Sequence, residues 1–441
     1  MKKTGAVLVG SALSLVVGHA AASGFSVSYQ SVSAMGTAYA GAGVLSENAS
    51  NQWYNPATLA GLKQAELSVA MHQAWIDTTF EADADGGFPV PPPAPPGTVL
   101  PQMGSGPGDF EDVEPFVGSA FLAVPVSDMM TFGLSVTAPF GTKIEYEDGW
   151  GNGYNLTPLG IPGVGSVTAG DFYSTESDLK TYNVNPSLGI QVTDSLNVGV
   201  GVSYQRLDAD IRNALTRLEG DDDAYGWNLG MTYSPDDNNH FGVGYRSEIS
   251  YDVEGDITFS QLGATFSTVQ GNPVAPGSYS GEASIDLPAS LQLSYAGDLS
   301  DRTQILMGVE WMEWSSLDKL EVESDQLAFN PTENFDWENT VRYSLGVRHA
   351  MNETTVLRAG VAKEESTQGT DNRSAISPDS DRVWLTLGAG FTPVENMTID
   401  VGYAHIFVED ADINRADKGA QLKGTYELDA DVIGAQLSYR F

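Results

Sequence analysis

Side chains able to do acid–base or nucleophilic chemistry are scarce in this sequence. Past residue 22 the histidines are His72, His240, His349 and His405. His240 and His349 fall at turn positions and His405 on an oily strand face, which leaves His72, and no Ser or Asp near it has the spacing of a catalytic set. Asp221-Asp222-Asp223 could draw a divalent cation or be a solvated acidic loop. Gly199-Val200-Gly201 lies within a strand pattern and opens no helix, so it does not read as a phosphate cradle. The arginines are more informative. Arg246, Arg342, Arg348, Arg358, Arg382 and Arg440 all take the polar parity of their segments. Guanidinium groups in that setting can bind a carboxylate, or they can pair with acids such as Glu248 and Glu310 because arginine facing lipid is costly. Both readings stay open from sequence.

The segments that carry these residues alternate with period two. Leu196, Val198, Val200, Val202 and Tyr204 alternate with Asn197, Gly199, Gly201, Ser203 and Gln205; Phe241, Val243 and Tyr245 alternate with Gly242, Gly244 and Arg246. Ile285, Leu287, Ala289, Leu291, Leu293 and Tyr295 read as one further oily face. About ten residues of alternation is the length of a tilted strand across a bilayer. The pattern predicts fourteen strands: 66–83, 113–126, 130–147, 177–192, 195–213, 223–234, 239–258, 282–297, 302–317, 338–350, 353–366, 381–393, 396–413 and 423–441. Short turns such as 235–238 alternate with long loops such as 84–112 and 148–176, and in membrane barrels these face the periplasm and the outside respectively. The expected fold is therefore all-β, a transmembrane antiparallel barrel of fourteen strands occupying residues 63–441. The outward Leu437, Tyr439 and Phe441 at the C-terminus resemble the signal read by barrel-assembly machinery.

Before the first strand the pattern is different. Lys2 and Lys3 precede an apolar run, Ala6 to Val17, and Ala20 to Ala22 suit cleavage before Ser23, so residues 1–22 read as a secretory leader. No cysteine is present, and no disulfide framework is needed. The formal charge of −37 falls to −39 with the leader lysines gone, which argues against nucleic acid as a partner. Residues 23–62 are rich in Gly, Ala, Ser and Asn and do not alternate. A wide barrel offers such a stretch its lumen, so a plug is expected there.

Set in order, Ser23-Gly24-Phe25, Gly36, Ala38-Tyr39, Gly41, Gly43 and Asn55-Pro56-Ala57 resemble the hatch of the FadL family of outer-membrane transporters for long-chain fatty acids and other hydrophobic compounds. Tyr245-Arg246-Ser247-Glu248-Ile249, Leu287-Pro288, Trp314-Ser315, Pro378-Asp379, Asp381-Arg382 and Trp384-Leu385 resemble its strand motifs. The resemblance implies a plug-gated channel in a Gram-negative outer membrane, monomeric, without cofactor, moving fatty acids or related compounds among outer-membrane lipids and lipopolysaccharide. Uptake of alkanes or aromatic hydrocarbons, or a general porin, are the alternatives. It also implies carboxylate contacts at Arg212 and Lys319, which join Phe25, Arg246 and Arg382 as candidate ligand-binding residues, with Asn55, Pro56 and Ala57 as candidate gating residues. The loop 213–222 is short for the family, so an outer capture site would have to come from Phe88 to Leu100, with Pro91-Pro92-Pro93, or from Leu156, Leu159, Ile161 and Val164. Finally, Pro139-Phe140-Gly141 interrupts the third strand. Proline cannot donate to a ladder and glycine permits a bend, so a lateral opening is expected at these three residues.

Overall fold

The computed structural model describes residues 24–84, 87–89, 98–106, 108, 110, 115–157 and 165–441. The expected leader and its cleavage point lie outside the described residues, as do Pro91-Pro92-Pro93, Leu159, Ile161 and Val164.

One antiparallel sheet of fourteen strands closes on itself. The strands are β1 Glu66–Ala82, β2 Phe116–Ser127, β3 Met130–Thr137 with Gly141–Glu145, β4 Glu176–Gln191, β5 Leu196–Arg212, β6 Thr216–Asp236 and β7 Asn239–Arg246 with Ile249–Phe259. They continue as β8 Gly277–Leu287 with Ser290–Ser300, β9 Thr303–Met312 with Lys319–Glu323, β10 Thr340–Asn352, β11 Thr355–Glu364, β12 Arg382–Val394, β13 Met397–Val408 with Ala411–Arg415, and β14 Leu422–Arg440. The seam runs from Glu66 opposite Arg440 to Ala82 opposite Gly424. Closure matters because lipid offers no hydrogen bonds to a free strand edge.

Two features depart from the sequence reading. β6 starts at Thr216, well before the expected 223, so the acidic run 221–223 is strand, paired with Arg206, Leu207 and Asp208 of β5. The connection between β5 and β6 is correspondingly tight. The six-residue oily face in β8 is also two faces: a break at Pro288-Ala289 rotates the strand. Ile285 and Leu287 are buried inside, whereas Leu293 below the break is exposed on the lipid side. β7 turns likewise at Ser247-Glu248, where Phe241 is outward but Ile249 and Tyr251 are inward.

Residues 24–62 lie among the inward side chains of the wall. Gly199 of β5, Gly230 of β6 and Gly244 of β7 make this possible, since a Cβ at each would collide with Ala57, Asn55 and Tyr54 respectively. Local capping gives the segment its turns. Asn48 caps Ala49–Trp53 through Ser50 N, and Asn55 accepts from Ala57 N at 2.9 Å with Pro56 at the first helical position. The same Asn55 donates to Gly43 O at 2.6 Å and to Met231 O at 3.0 Å, fastening the turn to β6.

Candidate functional site

The lumen contains a small cavity between the N-terminal segment and the wall. Trp53 and Tyr54 border it on one side, Pro139 and Phe140 on another, and Arg246, Glu310 and Arg342 supply its charge. Arg246 stacks on the Trp53 ring at 3.8 Å and donates to Ser203 Oγ at 3.1 Å and Trp53 O at 3.0 Å. Among the described residues no carboxylate stands within ion-pair distance of it.

The other strand arginines singled out in the sequence are committed. Arg342 pairs with Glu310 at 2.5 Å and donates to Ser28 Oγ at 2.7 Å. Arg358 joins Asp400 at 2.9 Å and also Glu47, which in turn contacts Arg348 at 3.3 Å. Arg382 is buried against Asp379, and Arg440 meets Glu66 at the seam at 3.2 Å. Glu47 belongs to the N-terminal segment, so two barrel arginines hold that segment ionically.

Arg212 and Lys319 are not brought to the cavity. Both take the outward parity of their strands, Arg212 bound to Glu176 at 2.7 Å and Asp210 at 2.6 Å, Lys319 to Glu321. A one-residue change in spacing is enough to put a strand side chain on the other face. His72 is lumenal and buried, with Tyr29 at 6.0 Å between ring centres.

Above the cavity Phe25 is clasped edge-on by Trp314 at 5.3 Å and tilted against Trp337 at 5.0 Å; Phe140 meets Trp314 at 6.0 Å. Leu179, Leu207, Ile249, Leu287 and Met312 complete this apolar cluster. Phe88 and Leu156, expected to serve an outer capture surface, are buried instead in a second aromatic core around Trp150 and Tyr146, whose rings stack at 3.9 Å.

Among the described residues the ladder between β2 and β3 is interrupted. Ladder pairing between β2 and β3 reaches Ala120 opposite Val136, and the next described pair is Phe110 opposite Tyr146. Equal lengths separate these pairs on both strands, so the two share one register, and the described residues 115–119 form no rung with 137–141, the stretch that contains Pro139, Phe140 and Gly141. The missing bonds are made from inside. Val27 N donates to Pro139 O at 2.8 Å, Gly141 N to Phe25 O at 2.9 Å and Gln30 Nε2 to Ala138 O at 2.9 Å, while Phe140 bonds Thr181 of β4. Sequence reasoning missed Trp53 and Glu47, and it quoted Asp379 only within a motif, not as the partner of Arg382. Trp53 adjoins the Asn55-Pro56-Ala57 motif, but only the packed lumen shows it beneath Arg246.

A closed barrel with an oily outer band, an internal segment and a partly apolar lumen defines an outer-membrane transport barrel. Residues 13–441 match the family model described as outer membrane protein transport protein (OMPP1/FadL/TodX), and the chain belongs to this family. Its members are outer-membrane transporters of hydrophobic compounds and not enzymes. The chain is 27% identical to outer membrane protein P1 of Haemophilus influenzae, covering 92% of this chain and 90% of that protein. It is 24% identical to the long-chain fatty acid transport protein of Escherichia coli, covering 98% and 97%. Among solved structures, a Pseudomonas aeruginosa FadL homologue superposes with a TM-score of 0.80 at 22% identity over 95% of this chain and all of that one. The Pseudomonas putida toluene transporter TodX gives 0.65 at 15% identity, over 88% and 92%.

Proposed function

We propose that the barrel imports long-chain fatty acids, that residues 24–62 form the plug that gates it, and that the ligand leaves through the β3 window into the membrane. The observation that carries this reading is Arg246, an inward guanidinium with no carboxylate partner among the described residues, on a cavity that also touches Pro139 and Phe140. A fatty-acid carboxylate would complete its charge pairing there, with the alkyl chain toward the window. A lateral exit spares the chain a passage through water costing about 0.8 kcal/mol per methylene. Movement of Phe25 to Val27 would both vacate the Trp314–Trp337 cluster and release the bonds that line the window. Similarity to the E. coli fatty acid transporter supports the assignment. Hydrocarbon uptake is the second reading, favoured by the uncharged surroundings of Phe25 and the likeness to the toluene transporter. The test is complementation of a fatty-acid-uptake-deficient strain with this gene, followed by uptake of labelled palmitate and labelled hexadecane. Palmitate uptake is expected; uptake of hexadecane alone would replace this reading with the second.

A further inference from the structure

The inner wall of β4 to β7 is layered. Lowest are Gly199, Gly230 and Gly244, cleared for the internal segment. Highest are Leu179, Leu207, Ala224 and Ile249, which belong to the apolar cluster around Phe25. Between them runs a band of inward polar side chains: Asn183 and Asn185 of β4, Ser203 and Gln205 of β5, Asn228 of β6 and finally Arg246 of β7. The amides and the serine are buried. Strand alternation requires that these positions face inward, not that they carry amides; Leu or Val would suit an apolar conduit better.

Most of the band is one hydrogen-bonded network. Asn185 Nδ2 donates to Ser203 Oγ at 2.7 Å and to Asn228 Oδ1 at 2.9 Å, while Asn185 Oδ1 accepts from Ser187 Oγ at 2.6 Å. Ser203 Oγ also accepts from Arg246, which joins the guanidinium to the amides. Beside them Asn183 Nδ2 donates to Gln205 Oε1 at 2.8 Å. Gly201 lets these side chains converge, because a Cβ there would collide with Asn228, Ser187 and Asn185. At its far end the band meets β3, where Asn183 stands opposite Thr137 and Thr181 Oγ1 donates to Phe140 O at 2.7 Å. The cavity that touches Arg246 and Asn228 reaches Pro139 and Phe140 of that strand.

Two amide atoms are left over. Asn183 Oδ1 and Asn228 Nδ2, on residues that are 0% and 2% exposed, have no hydrogen-bond partner among the described residues. An unpaired buried amide atom is costly, and a hydrocarbon passing it offsets nothing. A head group can. A carboxylate accepts from Asn228, and a hydroxyl both accepts from Asn228 and donates to Asn183.

We propose that this band selects cargo by hydrogen bonding, and that Asn183 and Asn228 are the residues that discriminate a long alkyl chain ending in a carboxylate or an uncharged hydroxyl from a plain hydrocarbon. The polar end is bonded by the amides as it moves between Arg246 and β3, while the alkyl chain stays against the apolar layer. Long-chain alcohols are therefore cargo alongside fatty acids. This deepens the reading above and rests on cargo passing through the Arg246 cavity, but not on an ion pair at Arg246 or on a carboxylate head.

The experiment compares initial uptake of labelled palmitate, hexadecan-1-ol and hexadecane by cells carrying the full chain or its variants, with heat-modifiable migration reporting that each barrel is folded. Asn183→Leu and Asn228→Leu, which keep the side-chain shape and remove the amide, should each cut palmitate and hexadecanol uptake by about fivefold or more, the equivalent of ~1 kcal/mol. Hexadecane uptake should be unchanged, and Asn183→Ser should recover part of the loss. Thr386→Val removes a buried, unpartnered lumenal hydroxyl on β12, away from the band, and should leave all three cargoes unaffected. Arg246→Gln should lower palmitate uptake and spare hexadecanol, because Gln still donates to a hydroxyl. Equal losses for all three cargoes in folded Asn183→Leu and Asn228→Leu barrels, or no loss for any, overturn the band as a selector. So does a matching loss in Thr386→Val. If Arg246→Gln spares palmitate while the two asparagine variants keep their selectivity, the role given to Arg246 falls and the band stands. Hexadecane as the sole cargo of the unmodified chain overturns both.

Discussion

The guanidinium of Arg246 lies 3.8 Å from the centre of the Trp53 ring, so a barrel cation is held by the π-face and carbonyl of the internal segment and by no described carboxylate. Every other inward arginine considered above has an acid at hand. The arrangement leaves Arg246 able to exchange a weak partner for a strong one.

Replacing Arg246 with Gln is therefore expected to lower palmitate uptake by about tenfold or more, since a hydrogen bond to a charged group is worth roughly 1.5–3 kcal/mol and each 1.4 kcal/mol is a factor of ten. Hexadecane uptake should be unaffected, and Arg246→Lys should recover part of the palmitate rate by restoring charge without the fork. Equal losses for both cargoes would make Arg246 a structural residue.

Much of this architecture was legible in the sequence because the bilayer enforces alternation over a fixed length. Leu196 to Gln205 shows the rule, and all fourteen strands follow it. Legibility failed where a strand leaves the lipid or turns on its axis. Ile285 and Leu293 share a parity in sequence, yet the Pro288-Ala289 break puts them on opposite faces. Asp221 to Asp223 read as a loop because an acidic strand cannot be told from an acidic turn by composition. Arg212 and Lys319 were placed by resemblance, and their outward direction depends on local register. Pro139-Phe140-Gly141 was readable as a break, but that Phe25 to Val27 occupies its inner edge depends on contacts more than a hundred residues apart in the chain.

The internal segment is expected to be what silences the pore. Deleting residues 25–57 removes Asn55, its bonds to Gly43 and Met231, and the buried residues lining the glycine-cleared wall. In planar bilayers the full chain should conduct little and the deletion should conduct steadily. Unchanged conductance would refute a gating role for this segment.

Glu47 anchors that segment through Arg348 and Arg358, with Asp400 bonded to the same Arg358 at 2.9 Å. Removing one partner from a buried ion cluster costs about 3–5 kcal/mol, because the remaining charge is left in a poor solvent. The ladder of β1 to β14 does not depend on Glu47. Hydrogen exchange of Glu47→Ala should therefore show faster exchange within 24–62 and unchanged exchange in the strands. Uniform protection across both would mean that packing alone holds the segment.

The window makes the most specific claim, because the pairs that flank it share one register. Ala120 faces Val136 below and Phe110 faces Tyr146 above, so Ser119 and Thr137 are the first positions the ladder ought to join and does not. Both are buried, and Ser119 donates instead to Gln30 of the internal segment at 3.0 Å. Cysteines at these two positions adjoin a paired rung, which keeps them near the range of about 4.4–6.8 Å between Cα atoms that a disulfide spans. The chain has no native cysteine to compete. Oxidation should stitch the lower corner of the window and stop uptake, and reductant should restore it. A matched pair on another part of the wall, Val361→Cys with Leu385→Cys, faces outward within an intact ladder, away from the internal segment, and should leave uptake unchanged when oxidised. Full uptake by a protein verified as crosslinked at 119 and 137 would mean that the ligand leaves by another path.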